Sequence, residues 1–146
     1  MDWFGAGING PLVVVRAIHF AATAVTAGTL LFRAVVAEPA LASAQMAPAV
    51  IRLQIIRVAW TGLAIAAATG VIWLLLQAAS MSGLPFIEAM NSDVLSTVLN
   101  ETQFGRVAKI RFVLAIILAA CLAYDRFALP RRLALGAAVG LIAAIA

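Results

Sequence analysis

The sequence predicts an all-α integral membrane protein: a bundle of four transmembrane helices with a short amphipathic extracytoplasmic helix between the second and third. Three observations carry this expectation. The 146 residues are 65% hydrophobic and only 11% charged, with a mean hydropathy of +1.10, whereas a soluble domain is about half apolar and a quarter charged. The apolar runs are continuous rather than alternating, which is the pattern of spanning helices and not of barrel strands. Lipid offers no partner to backbone polar groups, so a spanning chain must be helical or a closed barrel.

The formal net charge is +4 and the isoelectric point about 10.7. The basic residues gather at the ends of the apolar runs, where topology and anionic headgroups account for them. No basic helix is interleaved with aromatics, so nucleic acid is excluded as a partner and the lipid bilayer is the expected one. Cys121 is the single cysteine, which rules out an internal disulfide framework.

In chain order, residues 1–10 carry Trp3 and Phe4, which suit the headgroup boundary. They hold no positive region and no cleavage signature, so the following apolar run reads as a retained helix rather than a signal peptide. Span one covers about 12–36. Pro11 sits where a helix begins, and Glu38-Pro39 ends it because the residue before proline disfavours helical geometry. Arg16, His19, Thr23, Thr26 and Arg33 recur at spacings of three, four, three and seven, which stacks them on one face. His19 is the only histidine. An ionisable group inside a span is costly, so this stripe should face the bundle interior.

A connection with Pro48, Arg52 and Gln54 leads, through a helical extension from Pro48, into span two at about 57–79. Trp60 and Trp73 lie toward its ends, and Thr61, Ala64 and Ala68 offer a small-residue face for close helix approach. Residues 80–105 are the longest polar stretch. Within them, about 85–100, Phe86, Ile87, Met90, Val94, Leu95, Val98 and Leu99 share one side at helical spacing, which predicts the amphipathic cap. Span three covers about 106–125 and opens with Arg106, Lys109 and Arg111. A basic turn with Arg126, Arg131 and Arg132 precedes a fourth span at about 132–146, whose apolar run of about 14 residues is shorter than the ~20 of a full crossing. Gly136 and Gly140 there form a GxxxG pair.

The connections after spans one and three are basic, while residues 80–105 hold Glu88, Asp93 and Glu101 and no lysine or arginine. By the positive-inside rule the basic connections are cytoplasmic, and the N-terminus and cap face outward. His19 then lies roughly 9–12 Å below the outer surface, at 1.5 Å per residue, and the outward segment supplies Met81 and Met90. Imidazole and thioether are ligand types that suit copper, the thioether favouring Cu(I). His19, Met81 and Met90 are therefore the candidate metal ligands. The alternatives are a core histidine bonded to threonine or a backbone carbonyl, and methionines that fill apolar gaps. Arg16, Arg106, Lys109 and Arg111 form an outer basic group, expected to pair with Glu88, Asp93 and Glu101 or to bind an anion or headgroup. No nucleophile elbow, phosphate loop or zinc-protease motif occurs, so no enzyme is expected. One histidine cannot supply both axial ligands of a haem within the chain.

RAIHFAATAVTAGTLLF, from Arg16 to Phe32, resembles the first helix of the copper resistance protein D (CopD) family. TQFGRVAKIRFVLAIILA, from Thr102 to Ala119, resembles the T-x-[FY]-G-R segment that opens a later helix of that family. The resemblance implies the N-terminal half of a bacterial inner-membrane protein that handles copper, taking it inward with a periplasmic copper-binding protein as partner. His19 matches the family's first-helix histidine, and Thr102, Gly105 and Arg106 match the later motif. Members of the family are longer, with further histidine-bearing helices in a second half. Two other readings stand beside this one: an accessory subunit of a larger respiratory or oxygenase complex, with other membrane subunits or a second copy as partners, and a metal-free lipid-binding scaffold.

Overall fold

In the computed structural model, the described residues are 9–43, 48–83, 86–123, 136, 137, 139 and 140. Helix α1 spans Asn9–Phe32 and runs through a π-helical turn, Arg33–Ala37, into α2, Glu38–Ser43. Helix α3 spans Pro48–Ser82, α4 Phe86–Ala89, α5 Ser92–Glu101 and α6 Gln103–Ala123. No strand occurs among the described residues.

Two stretches, Gly10–Leu41 and Ala49–Ser82, are long and apolar enough to cross a membrane. At 1.5 Å per residue a 34-residue helix is about 51 Å long, so it projects beyond a hydrocarbon core of about 30 Å. Helix α3 begins at Pro48, in line with the helical extension the sequence suggested. Helix α6 has 21 residues, with Arg106, Lys109 and Arg111 in its first half. Most of the predicted fourth span and the basic turn before it lie outside the described residues. Of the described part, Ala137 is buried in the core cluster, and a Cβ added at Gly140 would lie 3.3 Å from Leu114 while one at Gly136 meets nothing.

Glu38-Pro39 does not end the first helix. Glu38 keeps helical angles, φ −67° and ψ −43°, and its N–H reaches Arg33 O across the wider π turn. Proline has no N–H and crowds the carbonyl four residues back. A π turn shifts that ladder and lets the helix continue. The turn also places Glu38 between two arginines: Oε1 lies 3.3 Å from Arg33 Nε and Oε2 3.0 Å from Arg52 Nη2.

Helices α1 and α3 run antiparallel and form the principal interface, with His19 beside Ala66, Thr26 beside Gly62 and Glu38 beside Arg52. The face that α3 presents is not Thr61, Ala64 and Ala68, which are all exposed, but Ala59, Gly62, Ala66 and Gly70. Helix α6 completes the core, where Leu118, Cys121 and Leu122 pack against Ala27, Leu30, Ala59 and Leu63. Cys121 is a free, buried core residue.

The predicted single cap helix is two helices. Asn91 interrupts it, with φ −62° and ψ 139°, and its side chain accepts a hydrogen bond from Asp93 N–H as the N-cap of α5. The break turns Ile87 and Met90 outward, while Ala89 and Val98 are buried. Thr102 then caps α6: its Oγ1 accepts from Gly105 N–H at 2.9 Å and donates to Val98 O at 2.6 Å. Gly105 sits so tightly against α5 that a Cβ there would collide with the backbone of Val98 and Leu99.

Because backbone atoms cannot swing aside, Gly105→Ala should destabilise the α5–α6 corner by about 1–3 kcal/mol. Gly136→Ala, which meets open space, should leave stability unchanged. Denaturation of both variants in the same detergent checks this pair of outcomes.

Candidate functional site

Four of the five stripe residues face inward as their spacing predicts, while Arg16, at the outer end of α1, is exposed. His19, Thr23, Thr26 and Arg33 are all buried, His19 with 6% of its surface exposed. Thr23 Oγ1 donates to His19 O and Thr26 Oγ1 to Ala22 O, each at 2.8 Å, so both hydroxyls return to their own helix. Space for this face comes from glycine. A Cβ at Gly62 would collide with Thr26 Oγ1, and one at Gly70 would lie 3.2 Å from His19 Cε1.

His19 Nδ1 lies 2.9 Å from Ala66 O on α3. A carbonyl only accepts, so Nδ1 is the N–H. Thr69 Oγ1 is 3.3 Å from the same nitrogen and gives its own proton to Ile65 O at 2.7 Å, leaving a lone pair toward the ring. This arrangement fixes the tautomer: Nε2 carries the free lone pair. Nε2 is buried and has no hydrogen-bond partner among the described residues. A ring nitrogen bonded to a backbone carbonyl, with its opposite nitrogen bare, is the form in which histidine binds metals.

The imidazole lines a cavity between α1, α3 and α6, whose other walls include Thr23, Thr26, Trp73, Phe104 and Arg111. The space inside it open to the centres of water-sized molecules is about 40 Å³. Aromatic rings form its upper wall. Trp73, 8% exposed, has its ring centroid 5.5 Å from His19, 5.7 Å from Phe20 and 5.3 Å from Phe104. Trp73 Nε1 is buried without a partner among the described residues.

Two of the outer cations, Arg16 and Arg111, lie over aromatic rings. Arg16 Cζ is 5.3 Å from the Phe20 centroid and 5.7 Å from that of Trp73. Arg111 Cζ is 5.1 Å from Trp73 and 6.0 Å from Phe20. Lys109 Nζ donates to Asn100 Oδ1 at 2.8 Å, and Arg106 is exposed. The expected pairing with Glu88, Asp93 and Glu101 is not what holds Arg16 or Lys109. Those carboxylates lie on α4 and α5, exposed, while the cations over the rings gain from the π quadrupole.

Met81 and Met90 are each 50% exposed, and neither lines the His19 cavity. Met81 borders a separate groove with Asp93, Thr97 and Thr102. Among the described residues, no three His, Cys, Asp or Glu side chains come together as a metal cage. Thr102 and Gly105, singled out by resemblance, act in the corner that starts α6, and that corner sets Phe104 against Trp73. Trp73, Phe104 and Gly70 were missed from sequence. The spacing Gly62, Ala66, Gly70 and Trp73, at four, four and three, was the signal available.

A helical membrane domain organised around one internal histidine is the class these features define. The family model for the copper resistance protein D-like, N-terminal domain matches residues 8–146, and the chain belongs to this family. It is accordingly a copper-resistance-related membrane protein. No curated protein and no solved structure matches the chain.

The tautomer is directly measurable. Long-range proton–nitrogen spectra of the single imidazole should show Nδ1 protonated and Nε2 bare. The reverse assignment would break the Ala66 contact and with it the geometry of the site.

Proposed function

We propose that this chain is an inner-membrane copper-handling protein that binds copper from the periplasmic side, with His19 Nε2 as its ligand and no enzymatic step. The observation that carries the reading is that buried, unpartnered nitrogen, held bare by the Nδ1 bond to Ala66 and bordering a cavity. Membership of the copper resistance family supplies the metal. Copper here is cargo: one imidazole with apolar walls suits a contact made in passing, not a closed storage cage.

The orientation proposed has the N-terminus and the α4–α5 segment in the periplasm, because Glu88, Asp93 and Glu101 lie there while Arg33, Arg52 and Arg57 mark the other side. The charged corner formed by Lys109, Arg106 and the exposed carboxylates of α4 and α5 is then the face available to a periplasmic copper-binding partner. Movement is inward, from that partner to the cavity.

Metal analysis of protein purified from copper-supplemented cells tests the site. The wild type should carry up to one copper per chain, and His19→Ala should lose it by about tenfold or more, with helicity checked by circular dichroism. Equal copper in the two proteins removes His19 from the site.

A further inference from the structure

We infer that the cavity between α1, α3 and α6 is an internal hydration site. It binds a water that donates to His19 Nε2 and accepts from Trp73 Nε1–H, and so bridges α1 to α3. The inference goes beyond the copper reading: it concerns the protein with no metal bound, and it does not depend on copper binding at all.

Complementary polarity is the first ground. His19 Nε2 and Trp73 Nε1 are both buried without a partner among the described residues, and each residue is more than nine-tenths buried. The two atoms are opposite in kind. With Nδ1 protonated against Ala66 O, Nε2 can only accept. The indole N–H can only donate. A guest that satisfies both must donate and accept at once. A cation offers nothing to the indole N–H, and an anion offers nothing to the Nε2 lone pair. Water serves both.

Placement is the second ground. Both residues line the same cavity, with ring centroids 5.5 Å apart. Thr23 and Thr26 line it too. Their hydroxyls donate to carbonyls of α1, and each oxygen keeps a lone pair that can accept. A buried water makes about three hydrogen bonds, and these four side chains supply them. Most of the remaining wall is alanine, Leu63, Leu118 and aromatic rings, so the polar atoms fix where the water sits.

Size is the third ground. A water needs roughly 10–15 Å³ of such volume, whereas an aromatic guest such as benzene occupies a cavity of about 150 Å³. The space of about 40 Å³ therefore takes one water or a short chain of them and excludes a ring. The bridge joins the helices already linked by the bond from Nδ1 to Ala66, seven residues away from Trp73 on α3. Any ligand that takes Nε2 must displace this water.

The test uses the full chain, ¹⁵N-labelled and freed of metal with a chelator, in phosphatidylcholine nanodiscs. The readout is magnetisation transfer from water to the Trp73 N–H and to the His19 ring. Transfer to both groups is expected in the wild type; transfer to neither, or to one alone, overturns the inference. Trp73→Phe keeps a ring and removes the donor, and its missing signal assigns the indole. In that variant, with helicity checked by circular dichroism, transfer to the His19 ring should fall about twofold or more, because the water loses one of about three bonds. Unchanged transfer overturns the bridge, and the wild-type measurement decides if the variant does not fold. Titrating copper into the same sample separates the two readings. Water transfer that persists at His19 with copper in excess removes His19 from the copper site and leaves the hydration site standing. Copper uptake that depends on His19, in protein that shows no water transfer beforehand, does the reverse.

Discussion

The hydrogen bond from His19 Nδ1 to Ala66 O constrains more of this structure than any other contact. It joins α1 to α3 at 2.9 Å, and a bond of that length requires the two backbones to approach closely. The approach is possible because Ala22, Ala59, Gly62, Ala66 and Gly70 keep side-chain bulk out of the interface. In lipid, where tails are as apolar as leucine, helix association depends on such packing and on interhelical hydrogen bonds, each about 1 kcal/mol. The same bond decides which imidazole nitrogen is bare. Packing and chemistry are therefore set by one contact, and a change that separates α1 from α3 also frees the tautomer.

The two ends of the helix pair handle charge in different ways. At one end Glu38 lies between Arg33 and Arg52, with Arg33 and Glu38 nearly enclosed. Breaking such a buried pair costs about 3–5 kcal/mol, because it strands a charge. At the other end Arg16 and Arg111 lie over Trp73 and Phe20, a contact worth about 0.5–2 kcal/mol. The first end is locked around a π turn. The second is held by softer, non-directional forces, which permit the side chains around the cavity to rearrange at less cost. His19 belongs to the softer end.

Much of this was legible in the sequence. Of the stripe, His19, Thr23, Thr26 and Arg33 mark the buried face because polar residues interrupt an otherwise apolar helix, so their period stands out; Arg16 shares the period but is exposed. Helix α3 is apolar nearly all round, and such a helix carries no directional signal. The choice between Thr61, Ala64, Ala68 and Ala59, Gly62, Ala66 could not be made from spacing, and the true face was found only through its contact with His19. Trp73 was placed only toward the end of span two, where an aromatic serves as well for an interface as for an internal wall. The break at Asn91 was not read from the sequence, because the apolar period runs through Met90 to Leu99 as one helix would. Met81 and Met90 were proposed from ligand chemistry, which says nothing of which way a side chain faces.

The walls of the cavity limit how copper handling can proceed. Below His19 the face of α1 continues with Thr23 and Thr26, but both hydroxyls already donate to carbonyls on their own helix. Ala27, Leu63 and Leu118 line the same cavity and, with Leu30, belong to the buried core. Among the described residues, α1, α3 and α6 thus enclose a cavity that runs from Trp73 and Arg111 past His19 to Ala27 and Leu118. On the copper reading proposed above, an ion at Nε2 either returns or waits for these helices to separate. Separation at this level requires the Ala66–His19 bond to loosen, and metal on Nε2 opposes that: it draws electron density from the ring and makes Nδ1–H a stronger donor. On that same copper reading, the occupied site would hold α1 and α3 together more firmly than the empty one, and an ion would leave His19 by ligand exchange.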